Sequence, residues 1–163
     1  MKRKSLYHIV LTALFAALTA ALTSIHIINL PNGGYVHLGD LFVFLAGCLL
    51  PTPYAMAAAA IGGGLADLLT SPAYALPTVI IKAAITLCFS AKREKILCPR
   101  NALALLPAAA ITMGGYFLAE WILFNWPAAL LTLPANLVQW AGSAALFAAL
   151  SFAMDRAGLK KKI

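Results

Sequence analysis

Between Leu6 and Met154, outside the stretch Lys92–Arg100, only four Asp, Glu, Lys or Arg side chains interrupt an otherwise apolar chain: Asp40, Asp67, Lys82 and Glu120. Such a chain cannot coat itself with polar surface. Charged residues make up 10% of the sequence and hydrophobic ones 63%, whereas a soluble domain carries about 25% charged residues. A disordered chain would be polar, which this one is not. The lipid bilayer is the solvent that suits it.

Breakers divide the apolar stretch into six runs, read with the rule that about 20 residues cross a bilayer. They cover about 6–28, 38–50, 54–69, 76–91, 102–124 and 134–154. Pro31-Asn32-Gly33-Gly34 closes the first run, Pro51-Thr52-Pro53 the second and Ser71-Pro72 the third. The expected fold is an all-α integral membrane protein, one domain of six transmembrane helices over residues 1–163. Lys2-Arg3-Lys4 resembles the start of a signal peptide, but the apolar run after it reads as a first membrane helix. The second and third runs are short for a full crossing, which predicts tilt, local thinning or an incomplete span.

Basic residues set the orientation. With the N-terminus inside and six crossings, eleven of the twelve Lys and Arg residues fall in cytoplasmic segments. Lys82 is the exception, and no outer loop holds any, as the positive-inside rule requires. Both termini are therefore expected in the cytoplasm. The net charge of +7 is a topology signal, and no nucleic-acid partner is expected.

A charge at the centre of a membrane helix costs about 2.5–3.5 kcal/mol on insertion scales. By this topology Asp40, Asp67, Lys82 and Glu120 all belong to the outer half. Polar and aromatic neighbours share their helix faces. Thr78, Lys82 and Thr86 repeat at i, i+4 and i+8, Tyr116 precedes Glu120 by one turn, and Asn136, Gln139 or Trp140, and Ser143 form a stripe. Tyr35, His37, Tyr74, Asn125 and Trp126 are expected in outer loops. Converging, these faces would make a polar pocket for a small organic molecule. Other roles compete: Trp121, Trp126 and Tyr74 as interfacial aromatics, Asp67 and Lys82 as a mutual ion pair, Asp40 as a helix N-cap.

Small residues carry a second pattern. Ala13, Ala17 and Ala21 recur every fourth residue in the first run, as do Ala55, Ala59 and Gly63 in the third. That spacing lets helix backbones approach closely, either inside the bundle or against a partner.

Several chemistries have no residues to carry them. No phosphate-cradling loop, metalloprotease motif or nucleophile elbow is present, and no enzymatic activity or cofactor is expected. His37 and Asp40 are too few to hold a metal, and Cys48, Cys88 and Cys98 lack metal-type spacing.

Gly34-Tyr35-Val36-His37-Leu38-Gly39-Asp40, Gly62-Gly63-Gly64-Leu65-Ala66-Asp67-Leu68-Leu69, Tyr74-Ala75-Leu76-Pro77-Thr78 and Ile80-Ile81-Lys82 together resemble the S components of energy-coupling-factor (ECF) vitamin transporters. The branch resembled is the one with riboflavin-like, hydroxymethylpyrimidine and pyridoxine S components. Two departures are Leu50-Pro51-Thr52-Pro53-Tyr54, where a glycine turn is expected, and Ser71-Pro72-Ala73, where the family often has glycine. The resemblance implies capture of a small water-soluble vitamin at the outer face of a bacterial cytoplasmic membrane. It also implies docking on a transmembrane T subunit joined to two ATPases, through the alanine faces of the first and third helices. The ligand would stack on aromatic rings and bond to Asp67, Glu120 and Asn136, and Lys82 could instead take an acid such as pantothenate. The alternative is a stand-alone, proton-coupled carrier using Asp67 or Glu120.

Overall fold

The computed structural model describes residues 3–30 and 35–162. The expected turn at Pro31–Gly34 and the basic residue Lys2 lie outside the described residues. In chain order the elements are α1 (Arg3–Thr23), strands β1 (Ile28–Asn29) and β2 (Tyr35–Val36), α2 (Asp40–Leu49) and α3 (Thr52–Thr70). A 3-10 turn (Pro72–Tyr74) leads into α4 (Ala75–Thr86), followed by α5 (Pro99–Leu103), α6 (Leu105–Leu123) and α7 (Trp126–Arg156). The fold is all-α apart from the minimal antiparallel pair, in which Ile28 faces Val36 and Asn29 faces Tyr35.

α2 is the axis of the bundle. Nine of its ten residues are buried, and it packs against α1, α3, α4 and α7. At 1.5 Å per residue it is about 15 Å long, half the hydrocarbon thickness of a bilayer. This short helix, apolar apart from Asp40 at its start, is therefore shielded from lipid by its neighbours, which explains why its sequence has no polar face. Among the described residues, three segments are long and apolar enough to cross a membrane: Ser5–Thr23, Pro99–Leu123 and Trp126–Arg156. Their lipid-facing side chains include Val10, Leu14, Ile122, Leu131 and Val138, all exposed.

Element ends differ from the sequence expectation for local reasons. The first helix stops at Thr23 rather than near Ile28, because the chain turns into the strand pair. The fourth stops at Thr86, after which Leu87, Cys88 and Phe89 donate back three residues in a tightening turn. The fifth is divided at Ala104; Pro107 has no N–H to offer the carbonyl of Leu103. The last helix begins eight residues before Pro134. Asn125 caps it by accepting from Ala128 N–H at 2.9 Å, and Pro127 occupies the first turn. Pro134 then sits inside a helix of 31 residues, as membrane helices tolerate.

Contacts sort the connections into two ends. At one, the His8 and Tyr54 rings lie 5.1 Å apart, and both carboxylate oxygens of Asp155 accept from Ile96 and Leu97 N–H at 2.8 Å. This end gathers the charged 92–100 loop and the C-terminal segment. At the other, Tyr35 meets Asp67, Tyr74 meets Phe124, and Thr132 meets Glu120.

The two small-residue faces separate in the structure. Ala13, Ala17 and Ala21 are exposed along one side of α1. Ala55, Ala59 and Gly63 are buried inside the bundle, which corrects their expected exposure to a partner. The reason is close packing of this face of α3 against α1 and α4. A Cβ at Gly62 would lie 2.6 Å from the Ala16 carbonyl oxygen on α1, and one at Gly63 2.9 Å from Lys82 Cγ on α4.

Candidate functional site

Lys82 anchors the floor of the site. Its stem passes over Gly63, and its ammonium pairs with Asp40 at the start of α2, both side chains being fully buried. The pairing of Lys82 with Asp67 considered from sequence does not form. Asp67 lies one turn beyond Gly63 on α3, where Tyr35 takes it instead. Asp40 is the first residue of α2 rather than its N-cap, a position held by Gly39, and its carboxylate makes no capping bond. Its second oxygen accepts from Gln139 Nε2 at 3.2 Å. Gln139 in turn accepts from His37 N–H at 3.3 Å. One buried network thus ties the 35–39 segment to α2, α4 and α7.

His37 contributes no charge. Its Nδ1 accepts from Gly39 N–H at 3.0 Å, which requires an unprotonated nitrogen. Burial, aided by the Lys82 charge, lowers its pKa to about 3. The strand pair brings Tyr35 over the site, its ring stacked on His26 with centroids 3.7 Å apart. The Tyr35 hydroxyl donates to Asp67 and accepts from Thr70 at 3.0 Å. Burial first, then Asp67, holds this phenol above its ordinary pKa, so it remains a donor. Burial and Glu120 act the same way on Tyr74.

Above that floor opens a pocket with about 360 Å³ of empty space, its mouth included. From the first connection come Leu30, Tyr35 and His37; from the α3–α4 region, Asp67 and Tyr74; from α6 and α7, Tyr116, Glu120, Asn136 and Gln139. Eight sequence-expected residues therefore converge on one cavity. Four do not line it: Asp40, Thr78, Lys82 and Trp140. Asp40 and Lys82 lie in the buried pair beneath. Thr78 bonds the Tyr116 hydroxyl at 3.0 Å, fixing that ring from behind. Trp140 turns to the far end of α6 and donates Nε1–H to the Leu105 carbonyl at 3.1 Å.

Most polar groups here already satisfy one another. Thr132 donates to Glu120 from one turn before Asn136, a contact that the i, i+4 spacing on α7 could have suggested. Leu30 carried no polar signal. The exceptions are the Tyr74 hydroxyl and the side-chain nitrogen of Asn136, which has no hydrogen-bond partner although the residue is only 8% exposed. A buried donor without a partner costs about 1–3 kcal/mol, and a solute acceptor would remove that cost.

A mostly apolar helix bundle with a polar, aromatic-walled cavity at one end has the architecture of a membrane protein that captures a small solute. A family model described as "ECF-type riboflavin transporter, S component" matches residues 3–156. The chain belongs to this family, and is thus a multi-pass membrane protein and a substrate-binding subunit of an ECF transporter. No curated protein matches it.

Proposed function

We propose that the pocket between Tyr35, Asp67, Glu120 and Asn136 captures a small water-soluble vitamin or precursor with a heteroaromatic ring, in the hydroxymethylpyrimidine, pyridoxine or riboflavin-like range. The observation that carries this reading is the Asn136 amide nitrogen, which with the Tyr74 hydroxyl is buried and unpartnered in a cavity where Tyr35, Asp67, Glu120 and Gln139 are bonded. Tyrosine rings offer faces for a flat ring, and two carboxyl groups offer acceptors for its donors. The pocket lies at the end away from the basic segments, which supports loading from outside with both termini in the cytoplasm.

In this reading the chain works in a bacterial cytoplasmic membrane and docks on a T subunit with two ATPases, which supply the driving energy. The exposed Ala13, Ala17 and Ala21 form the candidate docking face. Mass spectrometry of solute co-purified with the full chain tests the ligand, and calorimetry on the emptied protein tests its affinity. A folded preparation that carries and binds no vitamin-like solute would sink the reading. Solute flux through the chain alone in liposomes would favour the stand-alone carrier instead. For docking, Ala17→Trp is expected to abolish ATP-dependent uptake while ligand binding persists.

A further inference from the structure

Among the described residues, the pocket lining holds two carboxyl groups, those of Asp67 and Glu120, and no lysine or arginine. Lys82 does not reach the cavity, since it is wholly buried and committed to Asp40. His37 is held neutral by the N–H that its Nδ1 accepts. Neutral hydroxyls bond to both carboxyls, Tyr35 to Asp67 and Thr132 to Glu120. The unpartnered Asn136 nitrogen lies one turn from Thr132, so an acceptor and a donor are presented from adjacent positions at the α6–α7 wall.

We infer that the site selects a solute with an amino group or basic ring nitrogen beside a hydrogen-bond acceptor, and rejects one carrying a carboxylate or phosphate. This rests on the reading of the pocket as the ligand site. A positively charged donor makes a charge-assisted bond to a carboxylate, roughly twice as strong as a neutral one. An anion would instead face carboxyl groups where low dielectric strengthens repulsion and no lining cation offsets its lost hydration. The acid-binding role considered for Lys82 is removed by its pairing with Asp40.

The test uses the full chain in nanodiscs of uncharged lipid and three pyridines that differ in one substituent. These are pyridoxamine (aminomethyl), pyridoxine (hydroxymethyl) and 4-pyridoxic acid (carboxylate), each titrated by calorimetry. Co-purifying solute is identified in parallel by mass spectrometry. The expected order is amine over alcohol by about tenfold, with the acid weakest. Glu120→Gln or Asp67→Asn should shrink the amine-to-alcohol ratio, a change that a purely structural role would not produce. Binding of the acid as tightly as the amine overturns the inference, as does a ratio unmoved in both variants. A co-purifying solute without a basic nitrogen, or with a carboxylate or phosphate, overturns the inference alone. Absence of any binding and of any co-purifying solute overturns the site reading together with the inference.

Discussion

Asn101, at the end of the bundle that holds the basic loop, and Asn136, at the opposite end, are both buried side-chain amides in a membrane-embedded protein. Asn101 is spent on the fold. Its oxygen accepts from Ser90 N–H at 3.1 Å, and its nitrogen donates to the Ser90 and Ile96 carbonyls at 3.2 and 3.1 Å. Asn136 lines a cavity and leaves its nitrogen without a partner. The same chemical group thus serves structure where its partners belong to the chain, and is available to a solute where they do not. Burial alone does not separate these two amides; their hydrogen bonds and the cavity beside Asn136 do.

Variants can break or sharpen this contrast, beginning with the largest effect. Lys82→Ala leaves the Asp40 carboxylate buried and unpaired, which is expected to cost about 3–5 kcal/mol of stability. Denaturant unfolding in detergent measures it, and the double variant Lys82→Met, Asp40→Leu should recover most of the loss. Next comes Asn101→Leu, which strands the Ser90 N–H and two carbonyls. A loss of about 2–3 kcal/mol is expected, with unchanged ligand affinity in the folded fraction. Asn136→Ala reverses that pattern. The variant removes a buried donor without a partner, so unfolding should show no loss of stability, while calorimetry should show affinity for the co-purified solute falling about tenfold. The smallest effect is expected from Trp140→Phe, which removes the bond to Leu105. A stability loss of about 0.5–1 kcal/mol is expected with no change in binding.

Much of this contrast was legible in the sequence at the pocket end and little of it at the end that holds the basic loop. Rare polar residues in an apolar chain stand out, so Asp67, Glu120, Asn136 and Gln139 could be singled out without coordinates. Whether such a residue lines the cavity or supports it was not legible, because Lys82 reaches Asp40 only where Gly63 lets its stem pass. Trp140 and Gln139 are neighbours in sequence, and helix rotation alone sends one to α6 and the other to the pocket. Spacing likewise did not distinguish the exposed Ala13, Ala17 and Ala21 from the buried Ala55 and Ala59. Asn125 and Pro127 formed a readable helix start, yet Pro134 drew the expected boundary eight residues too late. The strand pair near Tyr35 is too short for any periodic signal.

A structure of the chain with its co-purified solute bound tests the central claim most directly. The expected result is ligand density between Asp67, Glu120 and Asn136, with an acceptor atom of the solute within hydrogen-bond reach of the Asn136 amide nitrogen. Density elsewhere, such as the apolar groove between α3 and α4 lined by Ile61, Leu65 and Val79, with the Asn136 nitrogen still unpartnered, would contradict the account.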